Sequence, residues 1–131
     1  MAAKKGYLRI VELLLKAGAD INIQTNDKQT SLYIATSAGH EDVVSMLLEK
    51  GADVNIQEIY GSAPLHKAVE ISFVEIIGCL RRKGANVHLK NGKNESAYDI
   101  AVKQGNKTII DILVPSMKPW KKLHKAARDG K

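Results

Sequence analysis

At 131 residues the chain is about the size of one domain. Its single cysteine, Cys79, excludes an internal disulfide framework and a cysteine-based zinc cluster and fits a reducing compartment. No run approaches the roughly 18 apolar residues of a transmembrane helix, residues 1–7 lack the apolar core of a secretory signal, and 44% hydrophobic content argues against disorder. The formal net charge of +6 is uneven: residues 118–131 hold six basic groups and one acid, a net +5, whereas the body carries only +1.

The first elements are a remnant, Ala2 and Ala3, followed by Gly6 and a predicted helix over 8–16 whose Leu8, Val11, Leu14 and Leu15 call for cover on their upstream side. This start reads either as the interior of a longer array or as a face that pairs with something. A turn follows, then a short helix over 31–37 that Gly39 breaks, then a second helix over about 41–50. Val43, Val44, Leu47 and Leu48 form its helical stripe. Gly51 falls just past the last turn, where a left-handed residue ends a helix at little cost. Residues 53–57 alternate polar and apolar into the next turn.

The same order returns every 33 residues without insertion or deletion across residues 2–114. Ala2, Ala35, Ala68 and Ala101 align, as do Ile10, Val43, Ile76 and Ile109, and Leu14, Leu47, Leu80 and Leu113. Gly6, Gly39 and Gly105 align, with Ser72 in the remaining slot, and Gly-Ala recurs at 18–19, 51–52 and 84–85. Helices this short are marginal alone. Stacked neighbours must bury the stripe, so the pattern predicts an all-α solenoid of helix-turn-helix units.

Residues 30–35 (Thr-Ser-Leu-Tyr-Ile-Ala), Gly39-His40, Val43-Val44, Leu47-Leu48, Gly51-Ala52-Asp53-Val54-Asn55 and, in the next unit, Pro64-Leu65-His66 resemble the ankyrin repeat. The resemblance covers about residues 2–114. It implies short β-hairpin-like turns between units, a half-repeat at 1–24, repeats at 25–57, 58–90 and 91–117, and a C-terminal capping helix at 118–131. Departures are visible. The threonine expected before Pro-Leu-His is Ala63, so His66 lacks its hydroxyl partner, a lost cap of about 0.5–2 kcal/mol. Ala97-Tyr98-Asp99 replaces Pro-Leu-His in the third unit, which reads as the weakest, and Pro115 marks termination.

Residues 123–130 restate a first helix eight positions early, and Trp120, Leu123 and Ala127 share one stripe against Lys121, Lys122, Lys125 and Arg128. A polar-faced cap is the leading reading, and a basic amphipathic helix for an acidic partner or membrane surface is the alternative. Because the tail supplies the first helix that the N-terminus lacks, head-to-tail self-association stands beside the expected monomer.

No catalytic residue, cofactor site or metal site is predicted. His40, His66, His88 and His124 share no ligand spacing. Cys79 shares its column with Leu13, Met46 and Ile112 and is expected as a buried small hydrophobe. Residues 90–94 read as a turn rather than a phosphate cradle. The expected function is a non-catalytic protein–protein interaction module.

By position, the resemblance implies binding through the turn tips and the exposed side of the first helices. In the first repeat this surface is Asn26, Asp27, Gln29, Ser37 and Ala38. In the second it is Ile59, Tyr60, Ser62, Glu70 and Ile71, and in the third Gly92, Lys93, Glu95, Lys103 and Gln104, with Lys4 and Lys5 at the front. Ile59, Tyr60 and Ile71 stand out as apolar groups where exposure is expected, a mark of an interaction site. The competing reading has Ile59 and Tyr60 filling gaps between adjacent turns. The partner is expected to be another protein, with no small-molecule substrate, and nucleic acid a minority reading. A structural piece of a larger multidomain protein is the alternative function. The expected location is intracellular and cytoplasmic. Lys, Ile and Asn make up 36 of the 131 residues, which suggests an AT-rich genome and keeps delivery into a host cell as an alternative.

Overall fold

The structure, a computed structural model, describes residues 13, 16, 18 and 20–114. Residues 1–12, 14, 15, 17 and 19 of the N-terminal half-repeat and the capping helix expected over 118–131 lie outside the described residues. Six helices follow in order: α1 Ser31–Ala38, α2 Glu41–Glu49, α3 Pro64–Glu70, α4 Val74–Arg82, α5 Ala97–Gln104 and α6 Lys107–Leu113. The predicted helices at 31–37 and 41–50 each end within one residue of the observed ones.

Each odd-numbered helix pairs with the next even-numbered one, and the pairs stack. First helices form one layer, α1 on α3 on α5, and second helices the other, α2 on α4 on α6. The periodic columns are the core. Ala35, Ala68 and Ala101 are fully buried, as are Leu47, Leu80 and Leu113, and Val43, Ile76 and Ile109 lie between them. Small alanines let the helix layers approach while the branched and leucine side chains fill the space between units. Because each helix has only seven to nine residues, this burial rather than local propensity sustains the helices.

Second helices stop where the glycine column demands. Gly51 has φ +92°, its N–H donates to Leu48 O at 3.1 Å, and Ala52 N–H donates to Leu47 O at 3.0 Å. This double return satisfies the last carbonyls of the helix. Between units the chain makes tight turns closed by backbone bonds from Thr25 to Gln29, Glu58 to Ser62 and Asn91 to Glu95, each at 2.8–2.9 Å. The hairpin-like turns are therefore present, although no strand is assigned among the described residues.

Side chains staple one unit to the next. Asn22 Oδ1 accepts from Asp53 N–H and Asn55 Oδ1 from Asn86 N–H, both at 2.9 Å. Gln57 Nε2 donates to Gly61 O and to Lys90 O, both at 2.8 Å. His66 is buried; its Nδ1 accepts from Ala63 N–H at 2.9 Å. That bond leaves Nε2 as the protonated nitrogen, which donates to Leu89 O at 2.8 Å.

One departure from the motif is made good locally, and one expectation needs correction. The third unit lacks Pro-Leu-His, yet its first helix is capped: Ser96 Oγ accepts from Asp99 N–H and Asp99 Oδ2 accepts from Ser96 N–H, both at 3.0 Å. This reciprocal pair does the work of a capping box. Cys79 is half-buried rather than buried. Its Sγ lies 4.0 Å from Ser45 Oγ and 3.3 Å from Arg82 Nη2, because its column lies at the edge of the helix stripe, where Leu13 is also exposed.

Candidate functional site

The turn of the second repeat is rigid for reasons written in its sequence. Glu58 Oε1 accepts from Tyr60 N–H at 2.7 Å and from Ser62 N–H at 2.9 Å. Gly61 supplies the left-handed residue, φ +82°. Thr25 and Asn91 occupy the same column as Glu58 and use their own oxygens on Gln29 N–H at 3.2 Å and Glu95 N–H at 2.9 Å. Three different side chains thus brace three equivalent turns.

Neighbouring turns are joined through the backbone. Ile59 N–H donates to Asp27 O and Gly92 N–H to Tyr60 O, both at 2.9 Å. The second joint is close: a Cβ on Gly92 would lie 2.4 Å from Tyr60 O. Gly92 therefore lets the third turn lie directly against the second.

Between these turns and α3 lies an open groove of about 730 Å³. Its lining includes Ile59, Tyr60 and Ser62 from the second turn, Lys67 and Glu70 from α3, Asn91, Gly92 and Lys93 from the third turn, and Tyr33 from α1. Tyr60 is 77% exposed and Ile59 53%, so neither side chain plugs a gap between turns. Tyr33 is buried, and its hydroxyl lies 3.4 Å from Ser62 Oγ at the groove.

The residues singled out from sequence do not all gather here. Ile59, Tyr60, Ser62, Glu70 and Lys93 line the groove. Asp27 reaches its edge through the bond from Ile59 N–H, and Gln104 Nε2 donates to Glu70 O at 3.3 Å. Glu95 and Lys103 form an ion pair with each other. Asn26, Gln29, Ser37 and Ile71 do not line the groove. Ile71 is exposed beyond the C-terminal end of α3, next to exposed Phe73 and Val74. Sequence reasoning passed over Tyr33, Glu58, Lys67 and Asn91. A signal for Tyr33 existed, since it breaks the column that holds His66 and Asp99.

Charges around the groove are mostly engaged. Lys67 Nζ lies 3.4 Å from Glu70 Oε1, and Lys90 Nζ 3.2 Å from Asp99 Oδ2. The Lys103 bond, ahead of Asn91 and the field of Lys93, holds the Glu95 carboxyl below its ordinary range and raises the Lys103 ammonium above its own. Asp99 is also lowered, first by the Ser96 backbone N–H and then by Lys90. Among the described residues no group of three or more His, Cys, Asp and Glu could hold a metal ion, and no helix is long and apolar enough to cross a membrane. What the groove offers chemically is an aromatic and an aliphatic surface on a rigid backbone, with hydroxyls at its floor and ammonium and carboxylate groups at its rim.

No curated protein matches the chain. The family profile described as ankyrin repeats (3 copies) matches residues 1–91, more than half of the chain. With the 33-residue period and the stacked helix pairs, this match establishes that the chain belongs to the ankyrin repeat family, whose repeats are generally protein–protein interaction modules and typically not enzymes.

Proposed function

We propose that the chain is a non-catalytic binding module that grips a segment of a partner protein in the groove between its second and third turns. One observation carries the reading: Tyr60 is 77% exposed on a turn whose N–H and C=O on either side of it are both bonded within the protein. A large aromatic group on a pre-set backbone adds contact area at little ordering cost. Ile59 extends the apolar surface, and Tyr33 and Ser62 supply hydroxyls that can meet a partner's main chain. The division into a half-repeat at 1–24, repeats at 25–57, 58–90 and 91–117 and a cap at 118–131 belongs to the same proposal, with the groove at the junction of the middle and last repeats.

A displayed library of short random peptides, panned against the full chain, tests this. Selected peptides are then titrated against the wild type and Tyr60→Ala. Tyr60→Ala is expected to weaken their binding by about 2 kcal/mol or more while its melting curve stays put. Selected peptides that bind Tyr60→Ala as well as the wild type contradict the proposal.

A further inference from the structure

Four charged side chains line the groove: Glu58, Lys67, Glu70 and Lys93. Both carboxylates are already engaged. Glu58 accepts from two backbone N–H groups of its own turn, and Glu70 faces Lys67. Lys67 is thereby matched as well. Lys93 forms no ion pair among the described residues, and the nearby carboxylate that feels its field, Glu95, is bonded to Lys103. Among the described residues, the groove therefore holds one cation without an ion-pair partner of its own.

Its place relative to the apolar anchor is set by the backbone. Asn91 Oδ1 accepts from Lys93 N–H at 2.9 Å, holding the tip of the third turn. The adjacent Gly92 N–H donates to Tyr60 O. Lys93 directly follows Gly92, the residue bonded to Tyr60. A partner that covers Tyr60 and Ile59 will bring its neighbouring residues over Lys93. A basic or neutral neighbour would leave the ammonium facing like charge or partly desolvated without compensation, which is unfavourable.

We infer that the groove selects a peptide segment in which an apolar side chain, seated on Ile59 and Tyr60, lies beside an aspartate or glutamate that pairs with Lys93. This rests on the proposed binding site and adds the chemistry of its ligand. Lys93 acts in specificity: a charge at the rim of an apolar contact discriminates among partners and accelerates encounter more than it adds raw affinity.

The experiment uses the same random-peptide display on the full chain, run in parallel on wild type, Lys93→Gln and Lys93→Glu. Peptides selected by the wild type and dependent on Tyr60 are expected to be enriched in Asp or Glu next to an apolar residue. Their affinity should fall as salt is raised and drop about tenfold or more in Lys93→Glu. Lys93→Glu should in turn select Lys- or Arg-bearing peptides, and Lys93→Gln should lose the acidic bias. Tyr60-dependent peptides with no acidic enrichment, or acidic peptides that bind Lys93→Glu equally well, overturn this inference and leave the binding site standing. If no selected peptide depends on Tyr60, the site fails and the inference with it.

Discussion

Ser72 stands with φ +59° in the column where Gly39 and Gly105 take φ +75° and +70° at the ends of α1 and α5. A side chain in the left-handed region is disfavoured by roughly 1–2 kcal/mol, and Ser72 is exposed, with nothing to gain from its hydroxymethyl group. Ser72→Gly is expected to raise stability by about 1 kcal/mol, read as a higher denaturant midpoint at unchanged slope. An unchanged or lower midpoint would contradict this account of the column. Asp99 belongs to the same scale. Its folded carboxyl is held below the ordinary range, so its contribution is present above the unfolded-state value and is lost as pH falls through the lower folded one. Asp99→Asn keeps an acceptor for Ser96 N–H but no longer titrates. Thermal melts from about pH 6 down to about pH 2 should show a smaller loss for Asp99→Asn than for the wild type; equal losses would remove Asp99 from the acid response. Single residues were readable where a column repeats: the alanine and leucine columns are the buried ones. Lys28, at φ +66° in the turn, was not readable. Its column partners Gly61 and Asn94 are common left-handed residues, whereas a lysine carries no such signal.

At the scale of elements, the helices differ chiefly in how their first turns are closed. Thr30 Oγ1 accepts from Tyr33 N–H at 3.1 Å and Asn106 Oδ1 from Ile109 N–H at 3.1 Å. Ala63 has no acceptor to offer α3, although Pro64 suits the first helical position and His66 supplies the return bond to Ala63 N–H. Ala63→Ser should add the missing acceptor for the His66 N–H and stabilise the protein by about 0.5–2 kcal/mol. Ser96 already occupies the same buried column, so space is not the obstacle; a thermal shift of zero would mean that His66 alone satisfies this helix start. The third unit departs most from the motif, and the ankyrin profile match ends at residue 91, where that unit begins. Ser96 and Asp99 meet the same capping need with different chemistry. The helices expected over 31–37 and 41–50, by contrast, were legible to within a residue, since the apolar stripe and the terminating glycines are local signals.

For the whole molecule, stability and recognition are carried by different surfaces. Leu47 is fully buried between stacked units, so Leu47→Ala should cost about 2–5 kcal/mol, and an unchanged melting curve would refute its place in the core. Tyr60 and Ile59 project from the turn edge and contribute little to that core. Sequence placed both residues on the exposed edge of the middle repeat, which is where they stand. It could not show that Lys93 and Tyr33 meet them, because that depends on contacts across the unit boundary, on the approach of Gly92 to Tyr60 and on a tyrosine replacing the histidine of its column. Nor did it separate Ile71, which follows α3 in the chain but lies outside the groove. The most direct test of the central claim is a backbone-amide NMR map of the full chain titrated with a selected peptide. Shifts should concentrate at residues 58–62 and 91–93 and along α3, with the second-helix layer of α2, α4 and α6 unmoved. Shifts confined to that second-helix layer, with the two turns silent, would contradict it.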